Sequence, residues 1–238
     1  MYDAQENQAQ IAPIPVGCGP VLPVLGRDTT TLRQQVFEHV RAAGRAARAD
    51  ITRALGISAG STTALTADLI SRGMLREVDG LAREQGRGRP PVALEVVPDC
   101  KHVIGIKLSD ETHTAVLTDL SGNVLADASL ATAQPRKDVD VILDEMDALI
   151  TQLLSASGKS MGEINAVGVG LSGIVDHMTG TVAWSPLLTA ADTDLKSAFS
   201  QRHSCPLYVD NDANMLTLAE LWFGAGRELS NFAVVTIE

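Results

Sequence analysis

The hydrophobic period of this chain changes once, at Pro98, and that change separates two kinds of structure. Before Pro98, Leu32, Val36 and Val40 recur at i, i+4 and i+8, the stripe of a first helix that stops at Gly44. Ala47, Ile51 and Leu55 predict a second, shorter helix, with Gly56 just past its end. Ser58 is placed to N-cap a third helix that turns Thr62, Leu65 and Leu69 inward and closes at Gly73. Two extended stretches, 74–78 and 91–97, then flank a loop over 79–90. Helix, helix, tight turn, helix and a two-stranded wing is the winged helix-turn-helix arrangement.

After Pro98 the pattern is that of an α/β domain. Residues 102–108, 112–119 and 123–131 predict three consecutive strands, the last two joined by a hairpin at Leu120-Ser121-Gly122-Asn123. An amphipathic helix follows over 137–157, with Val141, Met146, Leu149 and Leu153 inward. A buried strand is expected at 166–171, a helix at 192–202, a strand at 206–209, a helix at 211–223 and a last strand at 232–237. Residues 1–26 hold four of the ten prolines and show no period, so they predict a disordered leader. The expected domains are therefore the leader 1–26, a winged helix-turn-helix over 27–98 and an α/β lobe over 99–238.

Charge follows the same boundary. The net charge of -10 argues against nucleic acid only when averaged over the chain. Residues 27–98 carry eleven arginines and no lysine against eight carboxylates, a net +3, whereas residues 99–238 carry eight basic against nineteen acidic side chains, a net -11. The basic segment is the one with the helix-turn-helix pattern, which points to a double-stranded DNA operator. No apolar run is long enough to span a bilayer, so no membrane partner is expected. Cys18, Cys100 and Cys205 form no CxxC pair and are odd in number, which fits a reducing cytoplasm.

The recognition chemistry expected of the third helix is unusual. Residues 57–71 contain no Arg, Lys, Asn or Gln, the side chains that pair bidentately with bases. Ala59, Gly60, Ser61, Thr63 and Ala64 remain for the groove, offering methyl contacts and single hydroxyl bonds. Phosphate contacts from Arg48, Arg53 and Arg72, with Arg87 and Arg89 at the wing tip, must then supply much of the affinity. His39, His102, His113, His177 and His203 are scattered singly, so no metal or other cofactor is expected.

Several pieces stand in a telling order: Gly-Arg-Pro-Pro at 88–91, Val-Ile-Gly-Ile at 103–106, Gly-Val-Gly-Leu-Ser-Gly-Ile-Val-Asp at 168–176, and Val-Asp-Asn-Asp-Ala-Asn at 209–214 leading into Ala-Glu-Leu-Trp-Phe-Gly-Ala-Gly at 219–226. On these residues the chain resembles the ROK family of repressors and sugar kinases, on its transcriptional-regulator branch, over about 30–238. The resemblance implies an actin-like, ribonuclease-H-like lobe, with the family's second lobe and zinc site lying beyond residue 238. It also implies sugar contact by Gly173, Asn211 and Asp212, where Asp212 matches the general base of the kinases.

Two departures from the family pattern shape the expectation. Kinases of the family carry Asp-x-Gly-Gly-Thr after the first strand, where bare backbone holds nucleotide phosphates. Here the stretch is Lys107-Leu108-Ser109-Asp110-Glu111, with two carboxylates facing the phosphate position, so no enzyme activity is expected. Sugar-binding relatives have Pro-Asn where this chain has Pro186-Leu187-Leu188, which removes an amide contact. The expected function is a transcriptional repressor of carbohydrate metabolism with a sugar or sugar-phosphate effector, a homodimer when intact. The alternatives are a hexose kinase and a non-functional truncated regulator.

Overall fold

The protein is described here from a computed structural model, over residues 17–21, 30–79, 92–132, 134 and 136–236. Helix α1 (Leu32–Ala43) starts at Thr31, whose hydroxyl accepts the Gln34 N–H at 3.3 Å, and buries Val36, Phe37 and Val40. The short strand β1 (Arg45–Ala47) leads into α2 (Arg48–Leu55), which ends at Gly56 with φ 63°. Helix α3 (Ala59–Ser71) is capped by Ser58, whose Oγ accepts the Ser61 N–H at 3.0 Å. That bond satisfies one of the free N–H groups of the first turn. Strands β2 (Leu75–Val78) and β3 (Ala93–Val96) follow, and β3 pairs antiparallel with both β1 and β2. One core serves these elements, built on Val36, Val40, Ile51, Leu69, Leu75 and Leu94.

The remaining elements make a second core around a five-stranded sheet. Strands β4 (His102–Leu108), β5 (Thr112–Asp119) and β6 (Val124–Ala131) form an antiparallel meander. Its β5–β6 turn is fixed by the Asp119 carboxylate, which accepts N–H groups from Ser121 at 2.8 Å and Asn123 at 3.0 Å. Helix α4 (Val139–Ser157) crosses to β7 (Ile164–Leu171), which pairs parallel with β4. A small sheet of β8 (Ile174–Asp176), β9 (Thr181–Trp184) and β10 (Thr193–Asp194) precedes α5 (Leu195–Ser200). Strand β11 (Leu207–Asn211) then pairs parallel with β7, and α6 (Asp212–Phe223) closes the run. The large sheet has the order β11-β7-β4-β5-β6, with α4 packed on β5 and β6 and α6 beside β7 and β11. The chain is thus mixed α/β, with a sheet of the mixed parallel and antiparallel kind.

Several expectations are corrected. Gly17–Val21, placed by composition in a disordered leader, are hydrogen-bonded to α1 and to the end of α6. Val141 is 41% exposed; the buried stripe of α4 is Ile142, Met146, Leu149 and Leu153, one position further on, with Leu143 and Ile150 beside it. Residues 232–236 form no ladder, although their composition suits a strand: Phe232 packs its ring against Gly226 and Thr236 shares a cavity with Met215 and Leu216 of α6, and the edges of the large sheet remain β11 and β6. Ile237 lies outside the described residues. The helix expected at 192–202 is shortened to α5, because Thr193 and Asp194 pair with β9. The wing residues Arg87 and Arg89 fall outside the described residues, and β2 and β3 on either side pair with Val78 opposite Ala93.

Candidate functional site

Two surfaces concentrate the candidate residues. The first is the outer face of α3. Its inward residues Thr62, Thr66 and Leu69 are buried, which turns Ala59, Gly60, Ser61, Thr63 and Ala64 to solvent as one small-residue strip. The Thr63 hydroxyl donates to the Ala59 carbonyl at 2.9 Å, and the Ser61 hydroxyl lies 2.9 Å from that of Ser58. Thr63 therefore spends its hydroxyl proton on its own helix, leaving its methyl and oxygen lone pairs for a partner.

The arginines expected to contact phosphates divide by role. Arg48 is half-buried: its Nε donates to Thr66 Oγ1 at 3.0 Å and its terminal nitrogen pairs with Glu77 at 2.7 Å, so it ties α2 to α3 and β2. Arg53 is exposed beside Asp50 at 3.1 Å. Arg72 pairs with Asp68 at 2.9 Å, and Asp68 also takes Arg33 at 3.3 Å, which adds an arginine that spacing alone did not single out. The hydrogen bond from Arg72, with a second from Arg33, holds the Asp68 carboxyl below its ordinary range. Both pairs are solvent-exposed, so Asp68 holds its arginines only weakly.

The second surface lies where β7 and β11 end side by side, Leu171 opposite Asn211, the place where parallel sheets put their sites. The Asn211 side chain caps α6, its Oδ1 accepting the Ala213 N–H at 2.9 Å, and its Nδ2 donates to the Gly173 carbonyl at 2.9 Å. Both ends of the amide are thus engaged in the fold. Gly173 has φ 144°, and a Cβ there would lie 2.2 Å from the Trp184 carbonyl oxygen, so only glycine fits the turn. Asp212 opens α6, where the helix dipole favours its charge, and its Oδ2 accepts the Ser172 hydroxyl at 2.8 Å. Asp212 and Ser172 also stand at the rim of a cavity of about 570 Å³, within the size range of small-molecule sites. Its floor is the sheet at Gly105, Gly168 and Gly170, and its wall is α6 at Met215, Leu216 and Ala219. Of the three residues expected to meet a sugar, Asp212 alone lines this cavity.

The stretch 107–111 is a tight β4–β5 connection rather than an open phosphate loop. The Ser109 hydroxyl donates to the Thr112 carbonyl and its N–H to His113 Nδ1 at 3.1 Å, while Asp110 and Glu111 are exposed. An accepting Nδ1 makes His113 neutral, with its proton on Nε2 toward Glu145 at 3.0 Å. Burial, which outweighs the opposing bond to Glu145, pushes the His113 pKa down. Glu145 also holds the buried Lys137 at 2.6 Å. Leu187 and Leu188, where the family resemblance implies a lost amide contact, are both buried in the core, and the Leu187 carbonyl accepts the Lys137 N–H at 2.9 Å. Among the described residues no group of three or more metal-ligating side chains occurs, and no helix is long and apolar enough to cross a membrane.

Comparison with known proteins places this geometry. The ROK family model matches residues 103–238. The provisionally named xylose repressor of Caldicellulosiruptor sp. (strain Rt8B.4) is 31% identical over 190 residues, covering 80% of this chain and 47% of that protein. The DNA-binding transcriptional dual regulator NagC of Escherichia coli (strain K12) is 28% identical over 204 residues, covering 85% of this chain and 49% of its own length. The chain therefore spans about half the length of the curated relatives it matches. Among solved structures, a ROK family transcriptional regulator homologous to the Escherichia coli Mlc protein superposes with a TM-score of 0.64 at 23% identity, over 79% of this chain and 47% of that one. With the family model covering more than half of the sequence, the chain belongs to the ROK family.

Proposed function

We propose that this chain is a sequence-specific DNA-binding regulator of carbohydrate metabolism, a repressor, in which residues 27–98 are a winged helix-turn-helix and residues 99–238 belong to a non-catalytic sugar-sensing domain. The observation that carries the reading is the outer face of α3. It is an exposed strip of Ala, Gly, Ser and Thr on the one basic segment of an acidic chain. Such a strip lets the helix backbone approach base edges closely, with methyl and single-hydroxyl contacts giving modest discrimination at each base pair. Arg53, Arg72 and the wing arginines Arg87 and Arg89 supply phosphate contacts, while Arg48 holds α3 in place. Relatives named xylose repressor and N-acetylglucosamine repressor support the regulator reading over a kinase.

On the effector side, Asp212 is the group that meets a sugar hydroxyl, and Asn211 and Gly173 shape the turn that presents it. A kinase role is disfavoured by the 107–111 connection, whose backbone is closed by its own hydrogen bonds and flanked by Asp110 and Glu111. The regulator acts in the cytoplasm as a homodimer on a two-half-site operator. The test is selection of bound duplexes from a random pool by the full chain. A consensus with two-fold symmetry is the expected result, weakened in binding by xylose, N-acetylglucosamine or a related sugar. Recovery of unenriched sequence, with affinity set by salt alone, would overturn the proposal.

A further inference from the structure

Residues Gly17–Val21 run between the C-terminal ends of α1 and α6 and are hydrogen-bonded to both. The Cys18 N–H donates to the Arg41 carbonyl at 3.1 Å, the Gly19 N–H to the Trp222 carbonyl at 2.8 Å, and the Val21 N–H to the Arg227 carbonyl at 2.9 Å. Arg227 answers from the other side, with Nε on the Gly19 carbonyl at 2.9 Å and a terminal nitrogen on the Ala42 carbonyl at 2.8 Å. The Arg41 guanidinium lies 4.0 Å from the Trp222 ring centre and 5.4 Å from that of Phe37. A Cβ on Gly17 would sit 2.0 Å from the Ala42 carbonyl oxygen, so the approach of strap to helix admits no side chain. Helix C-termini leave carbonyls unpaired and carry the negative end of the dipole. Here two such ends share one strap and two arginines.

The opposite end of α6 is the cavity end. Asp212, Met215, Leu216 and Ala219 line the cavity, and Trp222 stands at the strap. Twelve residues make a rod of about 18 Å. No residue of α6 is fully buried; the helix rests on the sheet through Met215 at Gly170 and is fastened at its ends, by Asn211 and Asp212 at one and by the strap at the other. A helix with little buried surface shifts as a body at low cost.

We propose that α6 is the coupling element of this chain. A change at the cavity passes along it to the Arg41–Trp222–Arg227 joint and the Gly17–Val21 strap, and from there to α1 and the unit carrying α3. Helix α1 packs on α3 through the shared core of Val36, Val40 and Leu69, so a shift of α1 reaches the helix that carries the exposed strip. The proposal rests on the regulator reading for its purpose. By linkage the coupling is reciprocal, so a partner on α3 alters the cavity end by the same factor.

Amide hydrogen exchange on the full chain tests the joint without any ligand. Ala219→Trp fills the cavity from α6, and Ser172→Ala releases Asp212 as a milder perturbation that answers the question if the first variant does not fold. Each is expected to change exchange in residues 17–21 and 41–44 by about 5-fold or more. In an Arg227→Ala background, the same substitutions should add no further change there. Effects confined to residues 105–116 and 212–219, or equal effects in both backgrounds, would overturn the proposal. Failure of the regulator reading is seen separately, as absence of duplex binding by the unmodified chain, and does not alter the exchange result.

Discussion

Glu95 provides the sharpest quantitative test of how the N-terminal unit is held. It sits on the central strand β3, opposite Arg45 on β1 and Arg76 on β2, and only 3% of it is exposed. Its carboxylate accepts Arg45 Nε at 2.8 Å and Arg76 Nε at 2.7 Å. The two cations differ: the Arg45 side chain is 9% exposed, whereas that of Arg76 is 58% exposed and rehydrates freely. In Glu95→Ala the cost therefore falls mainly on the Arg45 side, which loses a charge-assisted hydrogen bond inside the fold, at about 1.5–3 kcal/mol. The Arg76 bond adds no more than about 1 kcal/mol. For a unit of this size each kcal/mol moves the midpoint by roughly 4–8 °C. Burial raises the Glu95 pKa, but the hydrogen bonds and charges of Arg45 and Arg76 outweigh it, so the carboxyl ends below its ordinary value. A depressed acid contributes stability that is present above the unfolded pKa of about 4.3 and is lost as pH falls through the lowered folded value. Local opening energies from amide exchange in residues 45–47, 75–78 and 93–96, measured across pH, read both effects. A loss under about 1 kcal/mol in Glu95→Ala, or acid lability unchanged in Glu95→Gln, would refute the reasoning.

Three other outcomes follow from the same structure. Gly173→Ala should destabilise the α/β portion by about 2 kcal/mol or more, read by urea unfolding, because φ 144° and the Trp184 carbonyl leave no room for a methyl group. His113 is buried neutral, so the unfolded chain binds its proton more readily; stability should decline as pH drops below about 6.5, and His113→Gln should flatten that limb of the profile. Incubation with ATP and a panel of hexoses should release no ADP above background; turnover abolished by Asp212→Asn would contradict the non-catalytic reading.

Much of this architecture is legible in the sequence because apolar period and capping chemistry agree. Ser58 and Gly56 mark the turn between α2 and α3, and β4, β5 and the hairpin are read directly from alternation and the Ser121-Gly122-Asn123 turn, although neither signal singles out the Asp119 carboxylate that fixes this turn. The missed elements have physical reasons. Strands β1 and β8 are only three residues long, too short to show a period. The strap Gly17–Val21 is held by backbone N–H groups and by arginines more than twenty residues away, and neither leaves a local signal. At the site, the Asn211-Asp212 helix start is visible in sequence, yet the amide of Asn211 is consumed by the fold. Arg48 reads as a phosphate contact from charge alone, whereas Thr66 and Glu77 engage it as a brace.

The claim that α3 presents its small-residue strip to DNA is tested most directly by Thr63→Glu. Thr63 is exposed, and its hydroxyl bonds only to its own helix, so the substitution leaves the core untouched while placing a carboxylate against the phosphates. Affinity for the selected duplex, measured by fluorescence anisotropy on the full chain at fixed salt, should fall by about 100-fold, roughly 2.7 kcal/mol, with an unchanged melting curve. Undiminished affinity in the Thr63→Glu protein would contradict the account.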